Sequence, residues 1–559
     1  MGKGITMKSL NLRSLMVGAL LVSSVQTVYA TQPTDPVSSD GNQNTAMGTY
    51  ALLDLTTGEY NTAAGYGALY YNTTGTNNSA YGDGALFYNT TGNQNTAVGN
   101  LALFDNSTAG NNTAVGYAAL ASNSTGGANT AVGEYALESN STGSQNSAFG
   151  QVALTANTTG INNTALGAGA LRANTTGGYN TAGGVGTLQN NVTGYNTSGY
   201  GYSALFYNTG GYNNTATGLN AVFNNTNGYS NTGTGFVALF SNTTGIQNTA
   251  SGVNALYANV TGNNNTAEGY NSLAGNTTGD YNTAVGYTAL SANTTGGYTT
   301  AVGAYALEVN TTGGYDTAFA AYALSANTTG SNNTAFGYAA LRSTTTGSNN
   351  IGFGFQSLYS GKTGSNNIAM GYQAAYLTNG SNNIEIGTKG AIDDDNLIRI
   401  GTPGVQTGAY IAGVSSAQIT GAAVYVSSSG QLGVLASSER YKTAIAPMGT
   451  DTEKLQQLRP VSFHLKNDPK GAVQYGLIAE EVDKVYPELV IRDDAGKIQG
   501  VRYDELAPML LNEMQEQREQ MTQKIDAQNV EIRDLKRLVV EMQAGLRDLQ
   551  AKDELVARR

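Results

Sequence analysis

Few side chains in this sequence can do covalent or metal chemistry. Its 559 residues contain no cysteine and one histidine, His464. Thiolate nucleophiles, disulfides and multi-histidine metal sites are therefore excluded, and a Ser-His-Asp enzyme would have to rest on His464, which lies in an alternating stretch typical of a strand. A serine nucleophile needs a base, so lysine is the reasonable alternative. Lysine is a base only when neutral, and burial can lower its pKa by roughly 3–5 units from about 10.4.

Two other patterns suggest a bound ion or a modification. Asp393, Asp394 and Asp395 are adjacent, and such a cluster can coordinate Ca²⁺; a solvated turn is the alternative, and we expect the turn. Many Asn-x-Thr triplets resemble glycosylation sites, but Asn and Gly suit tight turns, so we interpret the triplets as turn chemistry. We expect no metal and no cofactor.

Charge divides the chain into regions of different kinds. Only 13 charged residues fall between Asn44 and Asn383, whereas 41 fall in the 123 residues from Ser437 onward. The net charge is −11 and no strongly basic domain is present, which argues against nucleic acid as a partner. The chain therefore contains at least two kinds of structure.

The N-terminus has the form of a secretory signal peptide. Lys3, Lys8 and Arg13 precede an apolar run from Leu15 to Val22, and Val28-Tyr29-Ala30 offers small residues at a cleavage site. The run is shorter than the ~20 residues that a membrane span needs. We therefore predict export from a bacterium, to its surroundings or its cell surface, with no integral membrane span after signal removal. The predicted segments are a signal peptide over 1–30 and a linker over 31–43.

From 44 to 383 the chain is built of copies of one unit, repeated with a period of seventeen. One copy, Asn112 to Ala128, reads N-T-A-V-G-Y-A-A-L-A-S-N-S-T-G-G-A, and positions one to seventeen are counted from its first Asn. Of twenty copies, seventeen begin with Asn, nineteen have Gly at position five and eighteen have Leu at position nine. A unit this short must bury its apolar side against the next copy. The exceptions at positions one and five are Thr197, Thr299, Asp316 and Ala320.

The composition of the repeat favours strands and turns. Gly, Asn and Thr dominate and no 3.6-residue period appears, so helix is disfavoured. We predict two extended pieces in each copy, at N-T-A-V-G and at A-L, joined by turns. Stacked in register, such units form a parallel β-solenoid in which like residues make ladders. The predicted fold class is therefore mainly β, with twenty coils.

The apolar content of each coil is small for a self-sufficient core. Positions three and nine supply Ala and Leu, as in Ala114 and Leu120, while position four is often apolar, as in Val98 and Val115. Side chains at positions three and four point to opposite faces of a strand. This pattern fits one core inside the coil and a second core between chains, so we predict that several chains associate along the solenoid.

The motif N-T-A-V-G-Y with its following A-L resembles the repeats of trimeric autotransporter adhesin heads over 44–383. Those heads are left-handed β-rolls packed as trimers, so the resemblance implies a trimeric β-roll. The unit here is longer, so one turn must differ. Position six varies, as at Tyr66, Glu134, Phe236 and Tyr372, which indicates solvent exposure. Exposed tyrosines could bind a host-cell glycan or protein, or could be inert surface.

Beyond Asn383 the period fails and the sequence changes character twice. Short alternating stretches, such as Asn396 to Gly401, predict a β-rich neck over 384–436. Four sequence blocks follow: Ser437 to Met448, Leu458 to Phe463, Gln474 to Val482 and Tyr486 to Val490. Together they resemble the C-terminal intramolecular chaperone domain of endosialidase-type phage tail spikes and fibres, a self-cleaving serine peptidase family. The resemblance implies a small α+β domain over 437–510 that trimerises, promotes folding of the preceding fibre and cuts itself off.

The resemblance also implies a catalytic dyad. Ser437 would be the nucleophile and Lys442 the base, with the cut between Ala436 and Ser437. Many members have Asp after the serine, whereas this chain has Ser438, which is a rival nucleophile one residue nearer to the lysine. A spacing of five pairs side chains on neither a helix face nor a strand face. The dyad therefore needs a bend or a residue from a neighbouring chain, and burial on assembly would make cleavage wait for assembly.

The segment from Gly476 to Val482 has the pattern of an amphipathic helix that docks on the small sheet. A second interpretation gives Glu480 or Glu481 a role in orienting Lys442.

The C-terminal tail has the heptad pattern of a coiled coil. With Leu511 at position a, ten of twelve a and d positions over six heptads are apolar, the exceptions being Arg518 and Gln528. This pattern predicts a multi-stranded coiled coil over 511–552, with a short tail over 553–559. We therefore predict an exported homotrimeric fibre or adhesin-like protein that releases its own C-terminal domain. The alternative is a surface adhesin that keeps an uncleaved trimerisation domain.

Overall fold

The computed structural model describes residues 38–411, 424–427, 430–434, 438–466, 468–493 and 495–558. The chain forms two compact units, Met1–Val405 and Gln406–Arg559. The predicted signal peptide lies outside the described residues. Within the described part, no helix combines the length and the apolar character that crossing a membrane requires.

The first unit is a long parallel β-solenoid, which confirms the predicted mainly-β class. Each copy contributes one strand at positions two to four, paired with the equivalent strand of the next copy, so that Ala114 lies opposite Ala131. A short strand, β1 (Ser38–Ser39), pairs antiparallel with the strand of the first copy, Thr45–Met47. The twenty strands are β2 Thr45–Met47, β3 Thr62–Ala64, β4 Ser79–Tyr81, β5 Thr96–Val98, β6 Thr113–Val115, β7 Thr130–Val132, β8 Ser147–Phe149, β9 Thr164–Leu166, β10 Thr181–Gly183, β11 Ser198–Tyr200, β12 Thr215–Thr217, β13 Thr232–Thr234, β14 Thr249–Ser251, β15 Thr266–Glu268, β16 Thr283–Val285, β17 Thr300–Val302, β18 Thr317–Phe319, β19 Thr334–Phe336, β20 Ile351–Phe353 and β21 Ile368–Met370.

The second predicted extended piece, at A-L, is wrong. Leu120 has a φ of 53° and Ala118 a φ of 51°, so this segment is a tight left-handed turn. Positive φ is costly for a residue with a Cβ. The turn nevertheless places both Ala119 and Leu120 fully inside the coil, and the Leu120 N–H donates to the Ala136 carbonyl of the next coil at 2.9 Å. Core burial and an inter-coil hydrogen bond therefore offset the backbone strain.

Two buried asparagine ladders run along the solenoid at positions one and twelve. The Asn95 side-chain oxygen accepts from the Asn112 N–H at 3.0 Å, and Asn123 Nδ2 donates to the Asn106 side-chain oxygen at 2.9 Å. Asn112 and Asn123 both also donate to the Gly126 carbonyl, each at 2.9 Å. Asn123 begins an Asn-x-Thr triplet and is fully buried. The amides of this ladder are thus structural groups, in agreement with a role in turns.

Glycine at position five is required by the backbone. Gly116 has a φ of 133°, and a Cβ there would lie 2.7 Å from the carbonyl carbon of Gly133 in the next coil. Ala320 holds the same position with a φ of 115°. Such conformations cost roughly 1–3 kcal/mol for a residue other than glycine. Ala320 is therefore a strained point in the ladder.

We expect Ala320→Gly to stabilise the solenoid by about 1 kcal/mol, because the relief of backbone strain exceeds the extra entropy that glycine gives to the unfolded chain. Urea denaturation of the full chain would measure the change. Ala321→Gly is the matched control: Ala321 does not have a positive φ, so this variant should lose stability. Equal losses in both variants would contradict the strain at Ala320.

The parallel ladder continues past 383 into the predicted neck. Two more strands, β22 (Ile384–Ile386) and β23 (Ile398–Ile400), extend it in parallel. Ile368 pairs with Ile384, and Ile384 pairs in turn with Ile398. The seventeen-fold period thus ends before the solenoid does, because shorter turns still bring the strands into register.

The acidic triplet forms part of this last turn, and one expectation about it is wrong. Asp394 is 2% exposed and accepts two hydrogen bonds from Arg399, at 2.7 and 2.5 Å. The Asp395 carboxylate accepts the Ser381 N–H at 2.8 Å, while Asp393 is exposed. The triplet is therefore a structural turn in which a buried Asp394 pairs with an exposed Arg399, rather than a fully solvated turn. No cluster of three metal-ligating side chains occurs among the described residues.

The second unit consists of short antiparallel hairpins and one long helix. Its core contains Val482, Tyr486, Leu489, Val490 and Val501. The strand pairs are β24 (Tyr425–Val426) with β25 (Leu432–Gly433), β26 (Val461–Phe463) with β27 (Gln474–Gly476), and β28 (Val490–Arg492) with β29 (Ile498–Val501). The helices are α1 (Ala479–Val482) and α2 (Tyr503–Val556), with 3₁₀ turns at Glu439–Tyr441, Gly449–Gln457 and Pro487–Leu489.

Helix α2 is 54 residues long and contains no buried residue. It begins before the predicted coiled coil, since its first turns pack Leu506 and Met509 against the core of the second unit. Along the rest of the helix the apolar a and d side chains stay exposed, as at Met521, Ile525 and Leu535.

Candidate active site

The segment predicted to carry the dyad is only partly described. Ser437 and Ala436 lie outside the described residues, whereas Ser438 and Lys442 lie within them. Ser438 and Lys442 flank the short 3₁₀ turn Glu439–Tyr441. The N–H groups of Tyr441 and Lys442 close this turn by donating to the carbonyls of Ser438 and Glu439, each at 3.0 Å. A backbone bend therefore lies between Ser438 and Lys442.

The turn is open to solvent in the single chain. Ser438, Lys442 and the three residues between them are exposed, and the Arg440 guanidinium lies over the Tyr441 ring, 5.0 Å from its centroid. A lysine base needs a desolvated environment to become neutral at physiological pH. One chain does not provide that environment within the described residues.

The two glutamates considered for orienting Lys442 have different surroundings. Glu481 lies in α1 and accepts hydrogen bonds from Arg459 at 2.6 and 3.2 Å. Hydrogen bonding to Arg459 lowers the pKa of Glu481. Glu480 is exposed. Glu481 therefore anchors α1 to the segment before β26, and sequence reasoning missed this pair because its members are far apart along the chain.

His464 follows directly after β26 and is exposed. Its Nδ1 lies 3.0 Å from the Gly471 carbonyl, across the loop between β26 and β27. This contact joins the two ends of a hairpin loop. The prediction that His464 is a strand residue is off by one position, because β26 ends at Phe463.

The small domain holds the start of α2 through polar contacts as well as through its core. Asn512 Nδ2 donates to the Gly449 carbonyl and to Thr452 Oγ1, both at 2.8 Å. The Tyr503 hydroxyl accepts the Leu477 N–H at 2.7 Å. These bonds fix the helix to the 3₁₀ segment and to the loop before α1. No local sequence pattern indicated them, since the partners in each bond are distant in the sequence.

Comparison with known proteins bears on this region. No curated protein and no solved structure matches the chain. A family model does match residues 437–491, and that family is described as the chaperone of endosialidase. The matched segment contains the 3₁₀ turn, Lys442, α1 and most of the small core. This C-terminal segment is therefore similar to the chaperone of endosialidase.

Proposed function

We propose that this protein is an exported, homotrimeric fibre or adhesin-like surface protein with a self-releasing chaperone. Its C-terminal domain drives trimerisation and folding of the solenoid, and Ser437 and Lys442 then cut the chain between Ala436 and Ser437. The observation that carries the proposal is the order of the parts. A β-solenoid precedes the segment similar to the chaperone of endosialidase, and a long helix with an uncovered apolar seam follows it.

The helix supplies the first argument for assembly. Leu511, Met514, Ile525, Ile532 and Leu535 are each 47–67% exposed on α2. Fully burying such a side chain contributes roughly 1.5–3 kcal/mol, so ten half-exposed apolar positions per chain would contribute on the order of 10 kcal/mol. A coiled coil buries these positions in a shared seam. The chain therefore has a strong driving force to associate through α2.

The outer face of the solenoid strands supplies the second argument. At position four, Phe319, Phe336 and Phe353 stack with ring centroids 4.9 and 5.0 Å apart, yet each ring is 43–50% exposed. Position three is buried in the same strands. This contrast supports one core inside the coil and a second core between chains.

Assembly also provides the missing condition for catalysis. Lys442 is exposed in the single chain, and a lysine needs a desolvated environment before it can act as a base. Neighbouring chains packed around the small domain would desolvate it, and cleavage would then follow assembly. The peptidase step rests on the family resemblance, and the 3₁₀ turn beside Lys442 supports it.

A tethered adhesin is the second candidate function. In this case the small domain trimerises the chain but stays attached, and the exposed position-six rings contact a host-cell glycan or protein. Tyr66, Phe236 and Tyr372 are 51–72% exposed, which agrees with the predicted exposure. The exposed lysine favours this candidate if assembly leaves it solvated.

Gel electrophoresis and N-terminal sequencing of the secreted protein separate the two functions. The self-releasing fibre gives two pieces, the second beginning Ser-Ser-Glu-Arg-Tyr-Lys. A single intact chain after complete assembly would instead establish the tethered form.

Assembly is tested by charges placed in the seam of α2. Ile525→Asp combined with Ile532→Asp should convert the trimer to monomers or aggregates, because each trimer would bury six unpaired carboxylates. Shortening the chain at Arg518 should have the same result. Analytical ultracentrifugation measures both.

The matched control is Gln523→Asp combined with Val530→Asp, which adds the same charges at heptad position f, away from the seam. This variant should remain an elongated trimer. A compact wild-type monomer, or equal damage from both pairs of substitutions, would contradict assembly through the seam.

A further inference from the structure

A groove crosses the surface of four coils in the middle of the solenoid. It has a volume of about 550 Å³, within the roughly 300–1,000 Å³ typical of small-molecule sites. It runs between side chains at positions six and seven on one side and position ten on the other. The residues used below are Phe236, Asn254, Tyr257, Asn271, Ala274 and Thr288.

The groove begins where a stack of aromatic rings ends. At position ten, Phe206, Phe223, Phe240 and Tyr257 form a continuous stack with ring centroids 5.2, 5.2 and 5.3 Å apart. The next position ten is Ala274, whose methyl group is too small to cover a ring. One face of Tyr257 is packed on Phe240, and the opposite face is therefore left open to the groove.

Polar groups border the open ring face. Asn254 Nδ2 donates to the Asn271 side-chain oxygen at 2.9 Å, which leaves the Asn254 side-chain oxygen and a hydrogen of Asn271 Nδ2 for a ligand. Thr288 Oγ1 is buried and has no hydrogen-bond partner in the described part of the chain. A buried hydroxyl without a partner costs free energy. Rotation of the Thr288 side chain would present this hydroxyl to a polar molecule in the groove and relieve that cost.

The lining selects the class of ligand. None of the side chains that line the groove is charged, which disfavours acidic and basic ligands. An aromatic face packs well against the C–H face of a sugar ring, because the negative ring face attracts the weakly positive C–H groups. Amides and a hydroxyl at the edge suit sugar hydroxyls and an acetamido group.

We propose that this groove binds a neutral saccharide of the N-acetylhexosamine class. One pyranose ring lies on the open face of Tyr257, above Ala274, and takes the place of the fifth ring in the stack. Its acetamido and hydroxyl groups pair with Asn254, Asn271 and Thr288, while Phe236 borders the groove on the other side. The inference is independent of self-cleavage, since every residue in it belongs to the solenoid.

The decisive variant fills the groove without disturbing the fold. Ala274→Phe adds the next ring to the stack, and the four preceding coils already carry rings at that position. Titration calorimetry and saturation-transfer NMR of the full chain with tri-N-acetylchitotriose should show that this variant binds at least about tenfold more weakly than wild type. Tyr257→Ala should weaken binding similarly, whereas Tyr257→Phe should keep it.

Ala121→Phe is the matched control, because it makes the same change at position ten of a distant coil. It should bind the trisaccharide as wild type does. Trigalacturonate, a charged trisaccharide, should bind none of the proteins. Three results would each overturn the proposal. The Ala274→Phe and Ala121→Phe variants could bind tri-N-acetylchitotriose equally, wild type could fail to bind it, or wild type could bind trigalacturonate as tightly as tri-N-acetylchitotriose. Self-cleavage should be unchanged in every variant, so a failure of self-cleavage can be told apart from a failure of saccharide binding.

Discussion

Lys442→Arg should leave the chain uncut although it preserves the positive charge. A guanidinium stays protonated in proteins, so it cannot accept the proton of a serine hydroxyl. Loss of a general base slows catalysis by roughly 10²–10⁴-fold, which on a gel amounts to a single intact chain. Lys442→Ala should give the same result, while secretion and trimerisation persist in both. Cleavage of the Lys442→Arg protein would show that Lys442 acts as a structural cation and not as a base.

The serine variants determine the register of the cut. Ser437→Ala should abolish cleavage, and Ser438→Ala should keep it, because the family spacing of five places the nucleophile at Ser437. The reverse outcome would move the nucleophile to Ser438, which forms the N-terminal boundary of the 3₁₀ turn. Sequencing the released fragment from wild type identifies the bond that is cut, independently of either substitution.

The timing of cleavage tests the role of assembly. Ile525→Asp combined with Ile532→Asp, which should prevent trimerisation, should also prevent cleavage, because Lys442 then stays exposed as it is in the single chain. Cleavage by a monomeric variant would show that one chain can desolvate its own lysine.

The repeat made the solenoid predictable, because a strict period of seventeen forces like residues into ladders. The strand at positions two to four followed from this period. The turn at positions seven to nine did not, because Leu120 adopts a left-handed conformation that its residue type disfavours. Of the last two strands, β23 lies within the stretch Asn396 to Gly401 that was predicted to be extended, whereas the continuation of the parallel ladder through both strands was missed. Ile384 and Ile398 continue the ladder through shorter turns, and a shortened spacing leaves no trace of the period in the sequence.

The candidate site was less accessible to sequence reasoning. Ser437 and Lys442 were identified by resemblance to a family, and the spacing added only the requirement for a bend. The 3₁₀ turn beside Lys442 has no strong local signal. The partner of Glu481 is Arg459, on a different element, and long-range ion pairs of this kind depend on the tertiary fold. The burial of Asp394 was hidden for the same reason, because Arg399 becomes its partner only in the closed last turn.

One exception in the repeat, Asp316, places a carboxyl group where the other copies carry an uncharged side chain. Asp316 replaces the first-position Asn and is fully buried. Its carboxylate accepts the Asn333 N–H at 2.8 Å and Asn327 Nδ2 at 3.2 Å. In the next coil, Asn333 Nδ2 donates to the Gly347 carbonyl at 2.9 Å, a bond that an ionised carboxylate at 316 cannot make to Gly330. Burial raises the pKa of Asp316 to about 7, against opposing hydrogen bonds from Asn333.

The stability of the solenoid should therefore fall as the pH rises from about 4 to about 7. The folded state holds the proton of Asp316 more tightly than the unfolded chain, whose carboxyl has a pKa of 3.8. The stabilisation is complete below the unfolded pKa and is lost through the folded one, by about 4 kcal/mol for a shift of about 3 units. Asp316→Asn, whose amide does not ionise, should remove this loss of stability, so it should raise the free energy of unfolding by about that amount at pH 8, with little change at pH 4. Urea denaturation at both pH values measures the difference between the variant and wild type, which cancels the titration of all other groups.

Thr299→Asn, an uncharged exception in the same ladder, should shift stability equally at both pH values. Parallel pH profiles for wild type and Asp316→Asn would mean that water or backbone movement solvates the carboxylate, because no charged side chain of the described residues contributes to its pKa.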